Sequence, residues 1–315
     1  MGYLQTYGPR ADPATSLLWG LIILSLAVVG IVTALAVAGV VVRRHRGPIS
    51  DIAALPVERG ASGLAWFYVG MPLTVVALIG ALVWTIMVLA AVDSPAAEPR
   101  VTIEVTGHQW WWEARYRGAA PNDTFTTANE IHIPTGEPVM IRLMGADVIH
   151  SFWIPALSGK TDTIPGQTNF TWLQTNRPGD YLGQCAEYCG LQHAHMAVRV
   201  VAQAPADFET WRRGQLAPAP SPTEASVLTG RTLFVVRCGA CHTVRGTDAG
   251  GVHGPDLTHL MSRATLAAGA VPNDVSGLSG WIANPQALKP GAKMPATFLS
   301  GPQLTAMVDY LETLK

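Results

Sequence analysis

Cys185-Ala186-Glu187-Tyr188-Cys189-Gly190-Leu191-Gln192-His193-Ala194-His195-Met196 places two thiols, two imidazoles and a thioether within twelve residues. Soft sulfur and borderline nitrogen donors suit copper far better than magnesium or calcium. Two plainer readings compete. A short disulfide between Cys185 and Cys189 leaves the histidines and Met196 without a purpose. A tetrahedral zinc site would take two Cys and two His, and it too has no use for a thioether.

An upstream segment, Asp147-Val148-Ile149-His150-Ser151-Phe152-Trp153, offers a further imidazole. Together the two stretches resemble the binuclear copper (CuA) loop of subunit II of the haem–copper oxidases, C-x-E-x-C-x-x-x-H-x-x-M with a remote D-V-x-H-S-F/W. The resemblance implies that Cys185 and Cys189 bridge two coppers and that His150 and His193 bind one each. Met196 and the main-chain carbonyl of Glu187 then complete the pair. It further implies a Mg²⁺ shared with subunit I through the Glu187 side chain. His195 falls between ligand positions and is left out. Upstream again, Gly107-His108-Gln109-Trp110-Trp111-Trp112 is similar to the family's G-x-Q-W-Y-W, whose first Trp passes electrons to the copper pair; that role falls on Trp110. Taken alone, three tryptophans also fit an aromatic belt at a membrane surface. Lys160-Thr161-Asp162 with Ile164-Pro165-Gly166 matches the family's K-x-D-x-x-P-G and reads as architecture.

The segment around these motifs is β-rich. Val101–Thr106 alternates with period two, and 130–133 and 139–143 continue the pattern. Turns are marked by Gly136, Gly145, Gly166 and Gly179. Many short strands point to a sandwich or barrel, and the resemblance narrows this to a cupredoxin-like β-sandwich over 93–214, with a short helix over 206–214.

Toward the N-terminus, 49% hydrophobic against 14% charged residues indicates a membrane protein. Residues 1–16 are polar and rich in turn formers. Leu17–Val42 is 26 residues without a charge, longer than a hydrocarbon core of about 30 Å requires. A second uncharged run reaches Val92, giving spans of about 17–42 and 66–92 in a transmembrane hairpin over 17–92. Arg43, Arg44, Arg46 and Arg59 crowd the connection, so the positive-inside rule puts it in the cytoplasm and both termini outside. The family usually carries a Glu three residues before the Trp that opens the second span, at a proton-channel mouth. Counting back from Trp66 gives Gly63, so either Glu58 substitutes or the acid belongs to subunit I.

Toward the C-terminus, Pro218, Pro220 and Pro222 mark a semi-rigid linker over 215–226. Cys238-Gly239-Ala240-Cys241-His242 follows, the C-x-x-C-H attachment signature of a c-type haem. Gly230, Phe234 and Cys238 recur on a predicted helix, and a C-terminal helix over about 302–314 crosses it where Gly230 permits close approach. Gly254-Pro255-Asp256-Leu257 and Lys289-Pro290-Gly291-Ala292-Lys293-Met294-Pro295 resemble class I cytochromes c. That resemblance makes 227–315 an all-α cytochrome c domain with His242 and Met294 as axial ligands. Met261 and Met307 are the rival thioethers, with Met307 on the apolar stripe of the last helix.

All four cysteines fall inside these two motifs, and a net charge of −1 shows no nucleic-acid footprint. The whole is similar to cytochrome c oxidase subunit II with a fused cytochrome c domain. The resemblance implies an oxidoreductase subunit that carries electrons from an external donor through haem c and CuA to the oxygen site of subunit I. The implied donor is cytochrome c or a quinol–cytochrome c reductase complex, with subunit III as a further implied partner. It also implies a bacterial-type inner membrane, with the metal domains on the periplasmic side. Two alternatives stay open: a CuA subunit of a nitric oxide reductase, and a membrane-tethered electron carrier.

Overall fold

The computed structural model describes residues 4–45, 61–118 and 120–315, the side chains of 42–45 and 61–66 excepted. Its compact units are Pro13–Ser94 and the remainder of the chain. The first holds two helices, α1 (Asp12–His45) and α2 (Ala61–Asp93). Each is longer than its expected span, because helix continues beyond the apolar run where flanking residues still satisfy their backbone internally. The two meet at Gly20, where a Cβ would lie 2.2 Å from the Trp84 ring. Elsewhere large apolar side chains stay outward, Leu35 at 69% and Val76 at 66% exposure. Such a surface suits lipid and not water. The side chains of Arg43 and Arg44, together with Arg46, Glu58 and Arg59, lie outside the described residues.

The second unit opens with residues 4–11 laid on a β-sandwich, Tyr7 N–H donating to the Ala156 carbonyl at 2.8 Å. The sandwich strands are β1 (Val101–His108), β2 (Trp111–Tyr116), β3 (Phe125–Ala128), β4 (Glu130–Pro134), β5 (Val139–Gly145), β6 (His150–Trp153), β7 (Thr161–Thr163), β8 (Asn169–Leu173), β9 (Gly179–Cys185) and β10 (Ala197–Gln203). One sheet runs β3-β2-β1-β5-β8 and the other β4-β10-β9-β6-β7. Pairing is antiparallel except β1 with β5 and β4 with β10. Alternation along β5 and β10 sends every second side chain inward. The shared core includes Ile103, Ile131, Ile141, Trp112 and Phe152, all fully buried. Helix α3 (Pro205–Leu216) covers one end, stacking Trp211 on His132 at 3.9 Å.

The C-terminal part consists of α4 (Ala225–Arg237), α5 (Val275–Ala283), α6 (Pro285–Leu288) and α7 (Gly301–Leu311). It is not purely helical: β11 (Thr265–Leu266) and β12 (Val271–Pro272) form a two-residue ladder around a turn with Ala267, Ala268 and Gly269 at positive φ. The α4–α7 crossing is close because position 230 has no side chain; a Cβ there would fall 1.9 Å from the Ala306 carbonyl. The proline segment is less of a free spacer than its composition suggests. The Arg245 guanidinium donates to the Gln215 and Leu216 carbonyls, and Ala219 N–H donates to the Arg245 carbonyl at 2.9 Å.

Candidate metal centres

Two strands set the first site. Cys185 ends β9, and register pairs it with Phe152 of β6, two residues past His150. The loop between β9 and β10 is closed at its base by Cys185 N–H donating to the Met196 carbonyl, 2.9 Å. Inside it, Cys185 Sγ lies 3.7 Å from Cys189 Sγ, 3.9 Å from His150 Nδ1 and 3.2 Å from the Glu187 carbonyl. Cys189 Sγ lies 3.6 Å from His193 Nδ1 and 3.9 Å from Met196 Sδ. A disulfide needs sulfurs about 2.05 Å apart, so the pair is not one. Metal–ligand bonds of about 2.0–2.3 Å hold donors of one ion within about 4.6 Å of each other, and every one of these separations qualifies. Six donors with two central thiolates exceed what one tetrahedral zinc takes and fit a pair of soft ions. His195 turns away, its Nδ1 bonded to Gln192 Oε1 at 2.7 Å.

Electrostatics prepare the same chemistry. The Cys189 thiol and His150 hold the Cys185 sulfur as a thiolate, well below the ordinary range. The bond to Cys185, with burial, pushes Cys189 up, so the free pair shares one proton that a bound cation would displace. Burial works against protonation of His150, but its bonds to Cys185 and Asp147 outweigh that and raise it. Nε2 donates to Asp147 Oδ1 at 2.9 Å, which fixes the tautomer and leaves the Nδ1 lone pair toward sulfur. Asp147 itself remains ionised. Burial opposes this, but His150, Lys293 and the N–H groups of Gln109 and Val148 outweigh it. Trp110 packs against the loop, its indole N–H donating to the Cys189 carbonyl at 3.0 Å, beside Gln109 Nε2 at 2.8 Å.

The second site lies at the end of α4. Cys238 is half-buried and Cys241 exposed, both as free thiols. His242 Nδ1 donates to the Pro255 carbonyl at 2.8 Å; a carbonyl only accepts, so Nε2 keeps its lone pair for a metal. Gly254 leaves room for that ring, since a Cβ would sit 2.6 Å from His242 Cε1. Met307 is fully buried in the α4–α7 core. Met261 packs on the edge of the same core, and Met294 sits half-buried in a segment whose 292 and 294 carbonyls accept from Gln286 Nε2 at 2.7 and 2.9 Å.

Comparison with known proteins covers both domains. Residues 101–203 match the family model for the periplasmic domain of cytochrome c oxidase subunit II, and 227–315 match that for cytochrome c. Cytochrome c oxidase subunit 2 of Alkalihalophilus pseudofirmus is 34% identical over 99% of this chain and 90% of its own. The chain belongs to the cytochrome c oxidase subunit 2 family. The Bacillus subtilis and Bacillus sp. subunits are 32% and 33% identical, over 70% and 71% of this chain and 64% and 65% of theirs.

In this subunit II chain the fused cytochrome c domain rests on the copper loop. Lys289 Nζ donates to the carbonyls of Trp110, His195 and Ala267 at 2.8, 2.7 and 2.8 Å. Burial pulls it down to about 8. Gln192 Nε2 donates to the Pro290 carbonyl at 2.8 Å, and Lys293 pairs with Asp147 at 2.9 Å. Sequence reasoning quoted Asp147, Lys289 and Lys293 as motif members and assigned them no part. A carboxylate three residues before a ligand histidine was the available signal for Asp147. Nothing local marks the two lysines.

Proposed function

We propose that this chain is the subunit through which electrons enter a proton-pumping cytochrome c oxidase, from an external donor to covalent haem c, then to CuA, then to subunit I. The observation that carries this is the copper loop itself, where six donors from two separated segments already converge within 3.9 Å contacts. Cys185 and Cys189 would bridge two coppers, with His150, His193, Met196 and the Glu187 carbonyl as terminal ligands. Cys238 and Cys241 would hold the haem covalently, with His242 and Met294 as axial ligands. When bound, both groups supply one-electron relays whose geometry changes little with redox state.

The protein's part is placement. Asp147 orients His150, the β6–β9 ladder holds His150 against Cys185, and Trp110 joins the loop through the Cys189 carbonyl. The Glu187 side chain would reach a Mg²⁺ shared with subunit I. The family match to a periplasmic domain and the packing of residues 4–11 on that domain support a two-span inner-membrane protein with both termini outside. Subunit III and a donor, cytochrome c or a quinol–cytochrome c reductase complex, complete the assembly. Purification of the complex with copper and haem typing, then oxygen against nitric oxide consumption, tests the reading. Two coppers and one haem c in this chain with oxygen uptake are expected; nitric oxide consumption alone would assign it to a reductase.

A further inference from the structure

Lys289 is a buried charge in the second unit. It is 2% exposed, and its three N–H bonds go to main-chain carbonyls, which exhausts the donors of an ammonium. Two acceptors, Trp110 and His195, belong to the copper domain, and Ala267 belongs to the cytochrome c domain. Around this point the segment that follows Lys289 is fitted to the copper loop. Gly291, at φ +86°, leaves so little space that a Cβ would lie 3.0 Å from Leu191 and 3.5 Å from the Trp110 ring. Pro290 accepts from Gln192, and Ala197 N–H donates to the Ala268 carbonyl at 3.0 Å.

We propose that Lys289 is a positioning residue, a buried ammonium shared by carbonyls of both domains that seats the 289–294 segment on the copper loop and makes the docked arrangement a fixed one. The inference rests on the electron-relay reading and adds to it a stationary haem domain. Removing the ammonium would strand three carbonyls away from water, a larger loss than that of an exposed pair. Lys293–Asp147 is a more exposed pair, with the Lys293 side chain 65% and the Asp147 side chain 18% accessible, so salt screens it more than it screens Lys289.

The test compares amide exchange and haem-to-copper transfer in the full metal-loaded chain, as wild type and as Lys289→Met. In the variant, amides of 189–197 and 262–269 should exchange at least about tenfold faster. Sheet-core amides such as Ile141 and Val200 should keep their protection, both metal absorption spectra should stay unchanged, and transfer should slow about tenfold or more. Unchanged interface protection overturns the proposal. So does loss of protection throughout the sheet, or loss of either metal spectrum, since each places Lys289 inside one domain's stability. A second measurement needs no variant: in the wild type, interface protection should survive about 0.5 M salt, because a buried ammonium is little screened. Salt release of the interface, or an equal loss in Lys293→Met, would transfer the role to surface charge. Failure of the wild-type chain to hold copper or haem would strike the functional reading, and the exchange comparison on metal-free chain would still decide the seat.

Discussion

Asp147 divides its two oxygens between two tasks, one accepting from the ring of His150 and the other from Lys293. Cys185 is the residue on which the copper reading turns, with four donor groups within 3.9 Å of its sulfur or its partner's. Cys185→Ser should abolish the binuclear copper signal while haem stays attached, because the two motifs sit in separate parts of the chain; paramagnetic resonance and haem staining would show it. Met294→Ala should open the sixth haem position and lower the potential. A retained Met-ligated spectrum would assign Met261 instead. Glu130 gives the pH dependence. Burial favours its neutral form, but the bond from His132, the Ala264 N–H and Arg199 win and lower its pKa below the ordinary 4.5. A carboxylate depressed on folding contributes stability above about pH 4.5 and loses it as pH falls through the folded value. Glu130 Oε2 accepts from Ala264 of the other domain at 3.1 Å, so melting temperature and docking should fall together below about pH 4.5. Glu130→Gln should flatten part of that fall, as calorimetry at several pH values would show.

Among the elements, the α4–α7 crossing has the least tolerance. A methyl at position 230 would meet the Ala306 carbonyl at 1.9 Å and Tyr310 Cβ at 2.9 Å, and neither backbone nor a buried Tyr can yield cheaply. Overpacking of this kind costs about 1–3 kcal/mol. Gly230→Ala should therefore lower the melting temperature of the cytochrome c domain and leave the β-sandwich transition in place; unaltered melting would mean that the helices slide apart freely. The β9–β10 loop behaves differently. The eleven residues between the strands are tied at the base, at the Cys189 carbonyl and at Gln192, so hydrogen bonds of the protein itself hold the loop.

For the whole molecule, docking replaces diffusional encounter. Residues 93–216 carry 9 basic and 13 acidic side chains, and 217–315 carry 7 and 6, too slight a contrast to steer association strongly. The linker, if fully extended at about 3.1 Å per residue, would let the haem domain roam about 37 Å. Bonds from Arg245 to 215 and 216, and from His259 to the Ala217 carbonyl at 3.1 Å, hold it along the haem domain instead. Haem-to-copper transfer should thus be independent of protein dilution and only weakly dependent on salt. Trp110→Leu should slow it and leave both metal spectra intact, because the indole touches the Cys189 carbonyl and not a ligand atom. Flash-reduction kinetics measure both effects, and a rate that scales with concentration would mean that the haem serves a neighbouring molecule.

The sequence by itself determined the parts whose information is local. The thiols, imidazoles and thioether of 185–196 and the C-x-x-C-H of 238–242 each sit within one short stretch, so the sequence displays candidate donors, and the family resemblance supplied their roles. The two apolar helices show in hydropathy because lipid demands an unbroken run. His150 was legible only through the family motif, since its approach to Cys185 depends on β6 pairing with β9. The parallel pairings of β1 with β5 and β4 with β10 left no trace in period-two alternation, which reports burial and not neighbours. The short β11–β12 ladder was missed because two residues carry no period. Least legible was the seat of one domain on the other. A lysine in sequence reads as a solvated charge, and Lys289 has no carboxylate to announce its burial. Its partners are main-chain carbonyls, which every residue possesses, so only the tertiary structure could choose the three.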